Sequence, residues 1–278
     1  MSFKKIKKIS SFAAALVAAS TVALAAPVQA QGDLLVAPTR VILDGSRGTE
    51  VILSNIGSEE ATYRIELELR RMLENGRLEP VERTDANAIE EAALGMIRYA
   101  PRRITLPPGQ PQAVRLAARP GADLADGEYR VHMSFKAIPR PREVSDQDQQ
   151  AEGVSIQLIP IYGVTIPIIV RQGRVEAQVA LNQPSIVQGE AGPELALSIS
   201  RAGESSTYGV LSVTKPGLPE PIVELRGVAV YPELNEREVR VRLTPDQRAN
   251  LTGQLRIEYR EMPEAGGGLI AAVDSFLG

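Results

Sequence analysis

No cysteine and no tryptophan occur in this chain, and it holds a single histidine. Without thiols there is no disulfide framework and no thiolate chemistry. One imidazole cannot supply the nitrogen and sulfur ligands of a zinc site. No Gly-x-Ser-x-Gly elbow and no phosphate-cradling glycine loop is present. The carboxylates are scattered over presumptive strand faces and turns. The expectation is therefore no catalytic residue, no metal, no cofactor and no enzyme activity. The lone imidazole, His132, lies in the alternating segment Tyr129–Phe135 and reads as structural.

A basic excess is also missing. Net charge is −3, and Lys4, Lys5, Lys7 and Lys8 precede residue 31 with no acid among them, which leaves −7 for the remainder. Such a chain carries no electrostatic footprint for nucleic acid. After those lysines comes an apolar run, Phe12–Ala26, and then the small residues of Val28-Gln29-Ala30. This is the layout of a secretory signal, cleaved after about Ala30. The run falls short of the roughly 20 residues that a membrane span requires. No later segment is long enough either, so no membrane span is expected. Residues 31–278 are taken as the exported protein, whose core must hold the fold without disulfides.

What is present is turn chemistry and alternation. The 23 glycines and 20 prolines are spread along the chain, as many short strands would require. Leu34–Leu43 reads as a strand ended by Asp44-Gly45-Ser46, and Thr49–Ser54 as the next. In Ala61–Leu69 one face carries Tyr63, Ile65, Leu67 and Leu69, and the other Arg64, Glu66, Glu68 and Arg70. That period marks a strand with one face buried and one in water. Asn75-Gly76 is a hairpin signal. Asp85–Leu94 is a short helix or an ordered loop. Strands over Ile97–Leu106, Gln112–Ala117 and Glu128–Ala137 follow. Pro139–Gly153 is a polar loop.

Further strands are expected over Arg174–Leu181, Glu194–Ser200, Thr207–Val213, Ile222–Val230, Glu238–Leu243 and Gly253–Tyr259. The apolar end Leu269–Leu277 has no assigned role. The spacing predicts an all-β chain of two consecutive sandwiches, 31–171 and 172–278, after the signal 1–30.

The segment Val154–Arg171 stands apart, being long and apolar yet carrying Pro160 and Pro167. Proline deletes a ladder donor and belongs at an edge. A long hydrophobic edge is a template for pairing with another chain. Arg40, inside the β-branched run Ala37–Leu43, has two readings. Its stem packs along the strand with its head in water, or it is a cation in an interdomain cleft, ready for a carboxylate. Arg171 closes the long strand and lines the same cleft in the second reading.

Several ordered motifs resemble those of periplasmic pilus (fimbrial) assembly chaperones. They are Leu35-Val36-Ala37-Pro38-Thr39-Arg40-Val41 followed by Asp44-Gly45, then Val51–Asn55. Next come Tyr99–Gln110 with Val114-Arg115-Leu116, and Glu128-Tyr129-Arg130 through Lys136–Pro139. The resemblance covers residues 34–171; over 172–278 only size and β character agree. It implies two immunoglobulin-like sandwiches at an angle around a cleft. It also implies donor-strand complementation: the chaperone lends a strand to a pilus or fimbrial subunit that lacks one, then hands it on to an outer-membrane usher. The donor strand falls on 154–171, with Ile156, Leu158 and Tyr162 on one face and Ile159 and Ile161 on the other, and with Val164 further along. The register between these faces stays open.

By resemblance Arg40 anchors the subunit's C-terminal carboxylate. The family's second anchor is a lysine where this chain has Pro167, so Arg171, Arg130 or Lys136 substitutes, or Arg40 acts alone. The implied location is the periplasm, and a self-capping dimer would cover a free edge. A second function class is an exported structural or adhesive immunoglobulin-like protein that pairs through the same edge.

Overall fold

The computed structural model describes residues 34–139 and 161–277. The signal segment, the polar loop, and the donor-strand positions Ile156, Leu158 and Ile159 lie outside the described residues.

The described chain is two β-sandwiches in one compact unit. In the first, the strands are β1 (Leu34–Ala37), β2 (Val41–Leu43), β3 (Thr49–Asn55), β4 (Ala61–Met72) and β5 (Leu78–Val81). They continue as β6 (Ile97–Ala100), β7 (Arg103–Leu106), β8 (Gln112–Ala118), β9 (Gly127–Ile138) and β10 (Gly163–Gln172). One sheet runs β1-β3-β8-β6, and the facing sheet runs β2-β10-β9-β4-β5 with β7 paired to β4. The helix α1 (Ala88–Met96) is capped by Asn87, whose side chain and that of Glu90 satisfy each other's backbone donors.

Two expected strands are each divided. Leu34–Leu43 becomes β1 in one sheet and β2 in the other, with a cis Ala37–Pro38 peptide between them. Ile97–Leu106 becomes β6 and β7, again in different sheets. In both cases an internal proline, Pro38 or Pro101, lacks the donor that a continuous ladder needs. The alternation in β4 is as read: Tyr63, Ile65 and Leu69 are buried in the first core with Leu53, Leu116, Phe135 and Ile168.

The second sandwich comprises β11 (Ala177–Gly189), β12 (Gly192–Gly203), β13 (Thr207–Thr214), β14 (Val223–Val230), β15 (Glu236–Arg242), β16 (Gly253–Glu261) and β17 (Leu269–Leu277). Its sheets are β11-β12-β15 and β14-β13-β16-β17. The apolar end without an assigned role is therefore β17, paired along its length with β16. A helix not expected from the sequence, α2 (Pro245–Asn250), is capped by Thr244 and Gln247. Leu195, Leu211, Val230, Ile257 and Tyr259 form the second core. A third apolar cluster, Met72, Ile169, Ala229 and Tyr231, joins the two sandwiches. No helix of the described residues is long and apolar enough to cross a membrane.

Candidate functional site

The site begins with the backbone of β10. It pairs antiparallel with β9 over Gly163–Gln172 without a register shift. Just before it, the Tyr162 carbonyl accepts from the Ala137 N–H at 3.0 Å. Antiparallel alternation then turns the backbone groups of even-numbered residues toward β9 and those of odd-numbered residues away. On the far side, β2 pairs only with Ile168–Val170. Gly163, Thr165 and Pro167 therefore face outward with no strand opposite them among the described residues. Pro167 stands where its missing N–H costs the β9 ladder nothing. The side chains divide in the same way. Val164, Ile166, Ile168 and Val170 pack into the first core, whereas Ile169 packs against the second sandwich. Of the other expected donor positions, Ile161 is 63% exposed and Tyr162 48% exposed.

Beside this edge lies Arg40, in the link that carries the chain from β1 to β2. It precedes Val41, the residue opposite Ile168. Its guanidinium reaches the second sandwich. Nη2 donates to Ser206 Oγ at 2.8 Å and Nη1 to the Tyr231 hydroxyl at 3.5 Å. The guanidinium carbon lies 4.7 Å from the Tyr208 ring centroid and 5.7 Å from that of Tyr231. Such aromatic faces favour a cation without neutralising it. Burial raises the Tyr231 pKa, and Arg40 and Arg130 partly offset this. Arg40 makes no ion pair among the described residues.

Arg171 is differently placed. Its Nε donates to Glu128 Oε2 at 3.1 Å and its Nη2 to the Ser206 carbonyl at 3.3 Å. The Glu128 carboxylate also accepts from the Ser206 N–H at 3.0 Å and Oγ at 2.9 Å, and its side chain is wholly shielded from solvent. Arg171 thus has a resident carboxylate. So do the two alternatives to it. Arg130 makes a two-pronged pair with Glu233 at 2.5 and 3.0 Å and lies over Tyr231 at 3.6 Å, while Lys136 pairs with Glu66 and Glu68. Of the basic residues considered from sequence, only Arg40 has no carboxylate partner among the described residues.

The loop that presents Ser206 is held from within. Arg201, almost fully buried, donates to the carbonyls of Gly203, Ser205, Pro232 and Leu234 at 2.7, 2.8, 3.0 and 3.2 Å. Burial lowers its pKa, opposed by Glu128, Glu233 and Glu204. His132 is also buried, opposite Pro167 on β9, and neither ring nitrogen has a hydrogen-bond partner among the described residues. Burial, reinforced by Arg130 and Arg70, lowers its pKa to about 3, so it is neutral across the physiological range.

Two cavities adjoin Arg40. One, of about 550 Å³, is lined by Arg40, Arg171, Ser206, Tyr208 and the β16–β17 connection with Met262 and Leu269. The other, of about 210 Å³, is lined by Arg40, Pro167, Tyr208, Tyr231 and Arg237. The contributions of the second sandwich (Ser206, Tyr208, Tyr231 and Arg237) were not legible from sequence, because no local pattern ties them to Arg40. Among the described residues no cluster of His, Asp and Glu is arranged to hold a metal.

No protein-family model and no curated protein matches the chain. Chaperone structures are among the solved structures similar to the chain. They include the CupB2 chaperone of Pseudomonas aeruginosa, at 12% identity and a TM-score of 0.45, covering 88% of this chain and 100% of that one. The structure of Salmonella enterica SafA pilin in complex with the SafB chaperone matches at 16% identity and a TM-score of 0.44, over 88% of this chain and 96% of that one. A third is the CsuC–CsuE chaperone–tip subunit pre-assembly complex of Acinetobacter baumannii, at 15% identity and a TM-score of 0.42, over 88% and 98%.

Proposed function

We propose that this protein is a periplasmic chaperone for pilus or fimbrial subunits. It lends the open edge of β10, and the segment that leads into it, as the missing strand of an incomplete sandwich. The observation that carries this reading is the outward edge Gly163–Pro167, unpaired among the described residues and ending beside Arg40, a cleft cation with no carboxylate among those residues. Strand addition supplies backbone bonds, and the alternate side chains give specificity. The even positions of β10 face the sandwich interior, and Ile156, Leu158, Tyr162 and Val164 share that parity in the sequence. Each of Ile156, Leu158 and Tyr162, buried in a client groove, is worth roughly 1.5–3 kcal/mol before ordering costs. The client's C-terminal carboxylate on Arg40 sets the register. The reading needs no enzyme chemistry, and release goes to an outer-membrane usher. In the absence of a client, a dimer of this chain covers the same edge.

Co-expression with small secreted β-subunits encoded nearby tests the reading. A soluble one-to-one complex is expected, and Arg40→Ala abolishes it while the free variant stays folded. If Arg40→Ala unfolds alone, the residue is structural and the anchor fails. If the chain forms only permanent assemblies with itself, the structural or adhesive function replaces the chaperone.

A further inference from the structure

The smaller cavity beside Arg40 contains an imbalance of charge. Among the described residues two guanidiniums line it, Arg40 from the first sandwich and Arg237 from the second, and no aspartate or glutamate does. Arg237 donates through Nη1 to the Ala229 carbonyl, but its buried Nε has no partner among the described residues. Burial lowers its pKa, and the groups opposing this are Tyr259 and Tyr231, not carboxylates. A buried cation without a counter-ion is costly to a free protein. Such perturbed groups gather where a ligand completes them.

The β4–β5 turn makes room for the Arg237 guanidinium itself. Gly76, in the β4–β5 turn at φ +79°, sits so close that a Cβ there would lie 2.3 Å from Arg237 Nη2. Pro167 lines the same cavity and brings β10 to it without any charge. We infer that Arg237 is the second cation of the cleft, and that it and Arg40 together seat one carboxylate between the sandwiches. This rests on the reading of the cleft as the site of a client's chain terminus. A guanidinium fork suits that ligand, since its parallel N–H groups match the two carboxylate oxygens. The consequence is that binding ties the second sandwich, and not only β10, to the client.

The test uses residues 31–278 labelled with ¹⁵N. The probes are an N-acetylated hexapeptide of alternating Val and Thr with a free carboxylate, the same peptide as its C-terminal amide, and inorganic phosphate. The Nε–H signals of Arg40 and Arg237 are both expected to move with the acid and not with the amide. Arg237→Met is expected to weaken acid binding about 10- to 100-fold while melting at or above the parent temperature. Arg237→Lys keeps part of the affinity and serves if the Met variant does not fold. If only the Arg40 signal moves and Arg237→Met binds like the parent, the inference is overturned while the chaperone reading stands. If acid and amide bind alike, and Arg40→Ala changes neither, the carboxylate seat falls altogether. Movement of both signals with phosphate, but with neither peptide, assigns the cavity to a free anion and overturns the client assignment.

Discussion

Ser206 Oγ accepts a hydrogen bond from Arg40 at 2.8 Å while donating one to Glu128 at 2.9 Å. One hydroxyl of the second sandwich thus links the free cation of the cleft to a buried carboxylate of the first. Polarised in this order, the chain from Arg40 to Glu128 strengthens both bonds. Ser206→Ala is expected to lower the stability of the free protein by about 1–2 kcal/mol, as for bonds to charged groups. It also leaves Arg40 less well held, so client affinity falls with it. Denaturant melts and complex yield measure the two effects.

Arg201 holds the loop on which Ser206 depends. Arg201→Met leaves four carbonyls without their donor, and we expect a loss of about 3 kcal/mol or more. Arg201→Lys is expected to recover little of it, because an ammonium cannot span four acceptors held in that fan. Unchanged stability in either variant would mean that the loop is held by other contacts.

The two parities of β10 respond differently to proline. Thr165→Pro removes only an outward N–H, so the free protein is expected to stay within about 1 kcal/mol of the parent while client binding is lost. Val164→Pro removes a donor to β9 and costs about 2–3 kcal/mol. Thermal melts of the pair, with complex formation for the first, check the assignment of the outward edge.

His132 sets an acid dependence of stability. Its folded pKa, about 3, lies below the unfolded value of 6.5. Between these values the unfolded chain binds the extra proton, so stability is fully present above pH 6.5 and declines as pH falls toward 3. At pH 5 the loss is about 2 kcal/mol relative to pH 7.5. His132→Phe, similar in shape and without the two unpartnered nitrogens, is expected to abolish that contribution. The Glu90 carboxyl, held below its ordinary value by Arg71, acts in the same direction in a lower window. Its share is present above about pH 4.5 and is lost as pH falls through the depressed value. Melts of wild type and His132→Phe from pH 5 to 7.5 isolate the histidine's contribution, because the Glu90 window lies below that range.

Much of the fold was written in local patterns. The alternation of Tyr63, Ile65, Leu67 and Leu69 placed one face of β4, and Asn75-Gly76 placed its turn. Where the reading went astray, the deciding physics was non-local. Leu34–Leu43 looks like one strand because Pro38 is its only interruption, yet the two halves serve opposite sheets. Leu269–Leu277 follows three glycines and gives no sign of its partner, because β16 alone defines it as a strand. The capping pattern Thr244-Pro245-Asp246-Gln247 was available and announces α2. Arg40 was legible as a lone cation in an apolar run. Arg237 was not, since Glu236–Arg242 alternates charge like any half-exposed strand. Only the packing of the β4–β5 turn against the second sandwich, with the Glu238 N–H donating to the Glu74 carbonyl at 2.7 Å, brings Arg237 to the cleft.

Amide hydrogen exchange at single-residue resolution along β10 decides whether its outward edge is the one lent to a client. In the free monomer Val164 and Ile166 should exchange slowly, while Gly163 and Thr165 exchange quickly. In the client complex Gly163 and Thr165 should become protected as well, and Val164 and Ile166 should change little. Protection of Gly163 and Thr165 already in the free monomer, or none gained in the complex, would contradict the account.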